Sequence, residues 1–283
     1  MVSDSEAGHQ ASDPGGSSAR RWPLSSRRQR RLGQNFLADT NLLDAIVSDA
    51  RLAPDDIVLE VGGGDGALTS RLVEECRLVH LVEIDRGLEC ELEPIASETG
   101  KVSIIWGDAL KVDLSSLVPA PTKMVANLPY AIATPLLIRT VVELPTISRW
   151  VVMVQREIAE RLTAAPGTKA YGAPSAVIGS GCEVDELRRV DPAVFIPRPR
   201  VGSSLISIER TGPPPDPRVQ GLIRDGFAHR RKALARSLEL SDPGSGESAR
   251  RSLVAMGLAP DARAETLSPE QFVRLAAEMG VTA

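Results

Sequence analysis

Short apolar runs recur along the first three quarters of the chain, each ending at a small, amide or acidic residue. They are Ile57-Val58-Leu59-Glu60-Val61, Leu78 to Val82, Val102 to Trp106, Met124-Val125-Ala126 and Trp150 to Val154. Runs this short, rich in branched residues and bounded by turn formers, predict buried strands. Between them the apolar positions take helical spacing. Asp39 or Thr40 caps a helix whose face is Leu42, Leu43, Ile46 and Val47, with Pro54 beyond its end. Further helices carry Leu68, Leu72 and Val73, span Leu88 to Ala96, open at Thr134 with Pro135 in first position, and run from Gln155 to Leu162. Glu183 to Val190 and Ser203 to Glu209 alternate like two more strands. Phe195-Ile196-Pro197-Arg198-Pro199-Arg200 between them is too proline-rich for an interior strand.

The pattern changes at Thr211-Gly212-Pro213-Pro214-Pro215-Asp216-Pro217, a stiff linker. Beyond it the periodicity is only helical, with faces of Leu222, Ile223 and Phe227; Leu234 and Leu238; Leu253, Val254 and Met256; Phe272, Val273 and Leu275. Four segments follow: a polar N-terminal extension (1–26) expected to be disordered, an α/β domain (27–210), the linker (211–217) and a small helical domain (218–283). Arg20, Arg21, Arg27, Arg28, Arg30 and Arg31 form a basic arm with no acid between Pro14 and Ala38.

The formal net charge of −4 over 283 residues gives no global pull toward nucleic acid, so any such contact must use local patches. Two stand out. Arg224, His229, Arg230, Arg231, Lys232 and Arg236 face a single acid, Asp225, and Lys169 with Tyr171 lies in a Gly- and Pro-broken loop that could face a polyanion. Three cysteines without ligand spacing predict neither a disulfide framework nor a metal site. The absence of a signal core or spanning run predicts a cytoplasmic protein without a membrane.

The strand ends carry the candidate chemistry. Gly62-Gly63-Gly64-Asp65-Gly66 follows the first strand and opens a helix, the first half of a nucleotide-binding βαβ unit, in which glycines let backbone approach a ligand. Gly62, Gly64 and Ala67 alone would also pass as a dinucleotide fingerprint. Glu83 ends the second strand 21 residues after Gly62 and can accept ribose hydroxyls. Asp108 follows the third strand and can accept from an adenine amine, which a nicotinamide enzyme does not require. The fourth ends in Asn127-Leu128-Pro129-Tyr130. An amide oxygen and a neighbouring carbonyl can both accept from one NH2 group, and a tyrosine can stack on the ring that bears it. Read alone, these four residues fit a proline turn with a packed tyrosine better than a base-binding site.

Glycine, Glu83, Asp108 and Asn127 in this order resemble the ligand edge of an S-adenosylmethionine-dependent methyltransferase. The blocks Leu32 to Leu37, Asn127 to Tyr130, Gln155 to Leu162, Lys169 to Gly172, Phe195 to Val201 and Phe227 to Leu238 resemble, in the right order, the ribosomal RNA adenine dimethyltransferases of the KsgA/RsmA type. The resemblance implies a Rossmann-like seven-stranded sheet with a C-terminal all-helical domain, and S-adenosyl-L-methionine as cofactor. It implies cofactor contacts at Asn35, Leu37, Gly62, Glu83, Asp108 and Asn127, and catalysis at Asn127, Leu128, Pro129 and Tyr130, with Phe195 on the base. The implied reaction dimethylates two adjacent adenosines near the 3′ end of small-subunit (16S) rRNA in an immature particle, with no obligate protein partner. Four positions depart from the family pattern: Gly63 for a proline, which should only loosen the loop, Ala131 for an Asn, Gly202 for an Asp and Arg198 for a proline. The rival readings are a large-subunit (23S) enzyme of the macrolide-resistance type and an assembly factor without catalysis.

Overall fold

The computed structural model describes residues 35–281, which belong to one compact unit. The basic arm and the N-terminal extension lie outside the described residues. Two strands, β1 (Phe36–Leu37) and β8 (Phe195–Ile196), pair antiparallel as a small ribbon. The main sheet holds β2 (Ile57–Val61), β3 (Leu78–Glu83), β4 (Val102–Trp106), β5 (Lys123–Asn127), β6 (Arg149–Gln155), β7 (Cys182–Val190) and β9 (Ser203–Arg210). Its order is β4-β3-β2-β5-β6-β9-β7; neighbours from β4 to β6 are parallel, and β9 is antiparallel to both β6 and β7.

Both sheet faces are covered, so the strands read as continuous apolar runs while their side chains still alternate. Leu59, Val61, Met124, Ala126, Val152 and Val154 pack with α4 (Ala133–Glu143), α5 (Arg156–Leu162) and α6 (Ala173–Gly179). Val58, Val79, Val125, Val151 and Met153 pack on the other side with α1 (Thr40–Ala50), α2 (Ala67–Glu75) and α3 (Glu89–Thr99). Asp39 caps α1 by accepting from Leu42 N at 2.9 Å. Helix α4 begins at Ala133, so Pro135 is its third residue rather than its first. Its missing N–H is still among the four that no helix satisfies internally.

The C-terminal helices are α7 (Pro217–Ala228), α8 (Leu234–Ser241), α9 (Ser245–Ala255) and α10 (Pro269–Glu278). Their core is Leu222, Ile223, Leu234, Leu238, Leu253, Phe272 and Leu275, and it also takes in Tyr171, Ala176 and Val177 from before the linker. Val254 and Val273, expected on apolar faces, are instead exposed (56% and 39%) because each follows a buried residue and turns away from it. Tyr171 is a second correction. It is 1% exposed and donates its hydroxyl to the Leu267 carbonyl at 2.9 Å, with Phe227 edge-on at 5.9 Å, so it holds the helices together and does not face a polyanion.

Candidate active site

The chain moves outward from β2 through β3 to β4, then returns to the other side of β2 with β5. In an open α/β sheet, ligands bind where the order reverses, outside the carboxyl ends of the strands. Here that point lies between β2 and β5, where the glycine loop meets Asn127-Leu128-Pro129-Tyr130. Gly62 has φ +83°, and a Cβ on it would stand 3.3 Å from Pro129 Cδ, so the two loops touch without room for a side chain. Gly66, at φ +80°, precedes α2, and a Cβ there would fall 2.3 Å from Ile95 Cδ1. At Gly63 a Cβ would meet the end of the Leu81 side chain at 2.8 Å.

Glu83 lies buried beneath this loop. Its Oε2 accepts from Gly64 N at 3.4 Å and its Oε1 from Asp85 N at 2.8 Å, while its backbone carbonyl accepts from Gly107 N at 2.8 Å. Burial raises its pKa, against the pull of the Asp85, Gly64 and Ile84 N–H groups. Asp108 keeps a third of its side chain exposed (31%), accepts from Leu110 N at 3.0 Å and lies 3.6 Å from Lys111 Nζ. A loop without Cβ atoms, a carboxylate tied to its backbone and an acid at the next strand end fit an adenosine-bearing cofactor. The acceptors suit its ribose hydroxyls and its amine.

One acid in this region escaped the sequence reading. Glu60, in β2, is 1% exposed and accepts from Thr69 Oγ1 at 2.7 Å. Burial, reinforced by the nearby Glu83 and Asp65, pushes its carboxyl up to about 8. It is therefore neutral at pH 7. The available signal was the one acid within an otherwise apolar run.

Asn127 ends β5, and its Nδ2 donates to the Asn35 carbonyl at 3.1 Å. Only the NH2 end of an amide can donate to a carbonyl, so this contact fixes Oδ1 as the end left for an incoming donor. Asn35 is held in place by β1, whose Phe36 and Leu37 lie opposite Ile196 and Phe195. Leu128 is buried and donates its N–H to Met153 O at 3.1 Å. Tyr130 is half-buried, and its hydroxyl shares a hydrogen bond with Ser203 Oγ at 2.7 Å. Burial raises the Tyr130 pKa, so its ring carries a neutral hydroxyl at pH 7.

Asn35, Gly62, Glu83, Asp108, Asn127 and Tyr130 thus come to one edge. Leu37 (6% exposed) and Phe195 (2%) do not open onto it: they pack with Leu205 and Met153 on the α1–α3 side of the sheet. As placed, Phe195 presents no face to a base, because pairing β8 with β1 draws its ring inward. Ala131 is exposed, and Arg198 lies 3.6 Å from Asp191. In the basic stripe, Arg230 is committed to Glu265 at 2.7 Å and to the Lys169 carbonyl at 2.9 Å, whereas Arg231, Lys232 and Arg236 are exposed. No helix among the described residues is long and apolar enough to cross a membrane.

Residues 25–280 match the family described as ribosomal RNA adenine dimethylase. A "Ribosomal RNA small subunit methyltransferase A" of Rubrobacter xylanophilus is 44% identical over 252 residues, 88% of this chain and 94% of the relative. Its namesake in Nocardia farcinica is 41% identical over 264 residues, 89% and 90% of the two chains. Among solved structures, a dimethyladenosine transferase from Plasmodium falciparum superposes with a TM-score of 0.73 at 24% identity, covering 87% of this chain and 98% of its own. The 23S rRNA methyltransferase ErmE does so at 0.66 and 26%, covering 87% and 100%.

Proposed function

Because the chain belongs to the ribosomal RNA adenine dimethylase family, we propose that it dimethylates the exocyclic amines of two adjacent adenosines near the 3′ end of small-subunit (16S) rRNA. The substrate is an immature ribosomal subunit, and S-adenosyl-L-methionine is the cofactor. The small-subunit names of its curated relatives support that choice over a large-subunit target. The observation that carries the reading is the anchored amide: the NH2 of Asn127 is tied to Asn35, which leaves its oxygen to accept.

Bound S-adenosyl-L-methionine supplies an electrophilic methyl group on a sulfonium sulfur. Gly62, Gly64, Glu83 and Asp108 are the residues that would hold it, with Asn35 beside them. The protein's own work is on the adenosine. The target leaves its stack at a cost of a few kcal/mol, and stacking on Tyr130 returns about 1–3 kcal/mol. Ser203 fixes the Tyr130 ring by its hydroxyl. Asn127 Oδ1 and the Leu128 carbonyl accept the two amine hydrogens, which draws the nitrogen lone pair out of conjugation and directs it. An aromatic amine is a poor nucleophile until held so, and alignment supplies most of the acceleration without a general base acting first. Intact Asn127 and Tyr130 argue against a non-catalytic assembly factor. In this division of labour, residues 27–210 carry the chemistry, 211–217 the linker, and 218–283 a helical layer whose exposed Arg231, Lys232 and Arg236 contact RNA backbone.

The test is Asn127→Ala with immature small subunits. By analogy with loss of one hydrogen-bonding group at a transition state, kcat should fall about 10²–10³-fold while calorimetry still detects the cofactor. Near-normal methylation by this variant would remove Asn127 from the mechanism.

A further inference from the structure

Among the described residues, Arg156 is the one arginine that is not exposed and yet has neither an ion pair nor a side-chain hydrogen bond. Its Nε is cut off from solvent and has no partner. No carboxylate among the described residues forms an ion pair with it, Glu160 one turn on in α5 included. Glu157, the next residue, pairs with Arg161 at 2.9 Å, and Glu186 on β7 accepts from Ser204 Oγ at 2.6 Å and faces Arg189 at 3.5 Å.

What holds the guanidinium is shape. It lies on Gly202, where a Cβ would stand 2.7 Å from Nη2 and 3.0 Å from Cζ. The Arg156 backbone N–H donates to the Gly202 carbonyl at 3.0 Å, which fixes the two residues side by side. This pair belongs to the candidate site. Gln155, just before Arg156, lies opposite Ser203, just after Gly202, and Ser203 holds the Tyr130 hydroxyl. A positive group without a counter-charge therefore sits one residue from the hydrogen bond that positions the stacking ring.

An unpaired, partly desolvated guanidinium is costly, and its fork geometry suits a phosphate. A nucleotide swung out of its stack must also have its backbone held while the base is presented. We propose that Arg156 binds the phosphodiester flanking the target adenosine, so that the same structural unit grips backbone and base together. This rests on the rRNA reading above and adds a specificity contact to it.

The test uses the full-length protein, S-adenosyl-L-methionine and immature small subunits, with KM, kcat and filter-binding affinity measured at several salt concentrations. Arg156→Gln should raise KM about tenfold, the loss expected for one charge-assisted hydrogen bond. It should also make the slope of log affinity against log salt shallower by about 0.7, one phosphate contact on a single strand. Cofactor affinity by calorimetry should be unchanged, and Arg156→Lys should recover part of the loss. Gly202→Asp places a carboxylate against the guanidinium and should reproduce both effects while leaving Arg156 in place. An unchanged KM and salt slope in Arg156→Gln overturns the proposal. If Arg156→Gln misfolds, a folded Gly202→Asp with wild-type KM and slope overturns it equally. Failure of the wild-type protein to methylate adenosine in the subunit would instead sink the rRNA reading itself.

Discussion

Replacing Glu60 by Gln should stabilise the protein increasingly as pH rises. The carboxyl is fully buried, and its folded pKa stands at about 8 against an ordinary value of 4.5. Below pH 4.5 both folded and unfolded chains carry the proton, so the side chain contributes no pH dependence. Between 4.5 and about 8 the unfolded carboxyl ionises while the folded one does not, and stability falls by about 1.4 kcal/mol per pH unit. The loss is about 3 kcal/mol by pH 7 and about 5 kcal/mol above pH 8, where it levels off. Glutamine keeps an oxygen for Thr69 Oγ1 and does not titrate. Its added NH2 needs a partner, which shifts the whole curve by a constant without changing its slope. Urea unfolding of both proteins at pH 5, 7 and 9 reads the difference. The gap between variant and wild type should move in favour of the variant by several kcal/mol between pH 5 and 9. A gap that does not change with pH would mean that Glu60 is ionised in the folded protein, and the reasoning would fail.

Other expectations concern the site and its frame. Gly66→Ala combines a left-handed φ with a methyl at 2.3 Å from Ile95 Cδ1; it should cost about 2–4 kcal/mol in urea unfolding. Tyr130→Phe keeps the stacking face and loses only the bond to Ser203, so its KM should rise less than that of Tyr130→Ala, for which a rise of about 5- to 150-fold follows from one lost stacking contact. Tyr171→Phe leaves the Leu267 carbonyl without its donor and should cost about 1–3 kcal/mol of stability, with no change in KM for immature subunits, since the ring is internal.

The sheet was legible because its parallel strands are buried on both faces. Composition alone then marks them, and the residue after each run falls on the ligand edge. Glycine, Glu83, Asp108 and Asn127 could be placed in order for that reason. Helix α6 was not seen, because Ser175, Ala176, Val177 and Ile178 are all buried and a helix covered all round has no amphipathic period. Tyr171 looked like a surface aromatic because its loop is rich in Gly and Pro. Its partner, Leu267, lies 96 residues on, and no local pattern reports it. Val254 and Val273 were misplaced because a run of adjacent apolar residues does not say which of them turns inward. The proline-rich segment does mark where strands give way to helices. It does not reveal that Tyr171, Ala176 and Val177 share their core with the helices beyond it. Arg156 could not be singled out by sequence, since its distinction is the lack of a partner, which only packing displays.

The bond from Asn127 to Asn35 also sets an order in time. The amide is oriented by a backbone carbonyl next to β1, and β1 is held by β8, whose residues emerge from synthesis about 160 positions later. A nascent chain that has completed the glycine loop, Glu83, Asp108 and the Asn127 turn already holds the groups proposed to meet cofactor and amine, yet β1, next to the carbonyl that orients the amide, still lacks its strand partner. The ribbon that carries Asn35 is complete only when Phe195 and Ile196 have been made and have closed on Phe36 and Leu37. Fragments ending before residue 195 should therefore lack an oriented amide even where their sheet has formed.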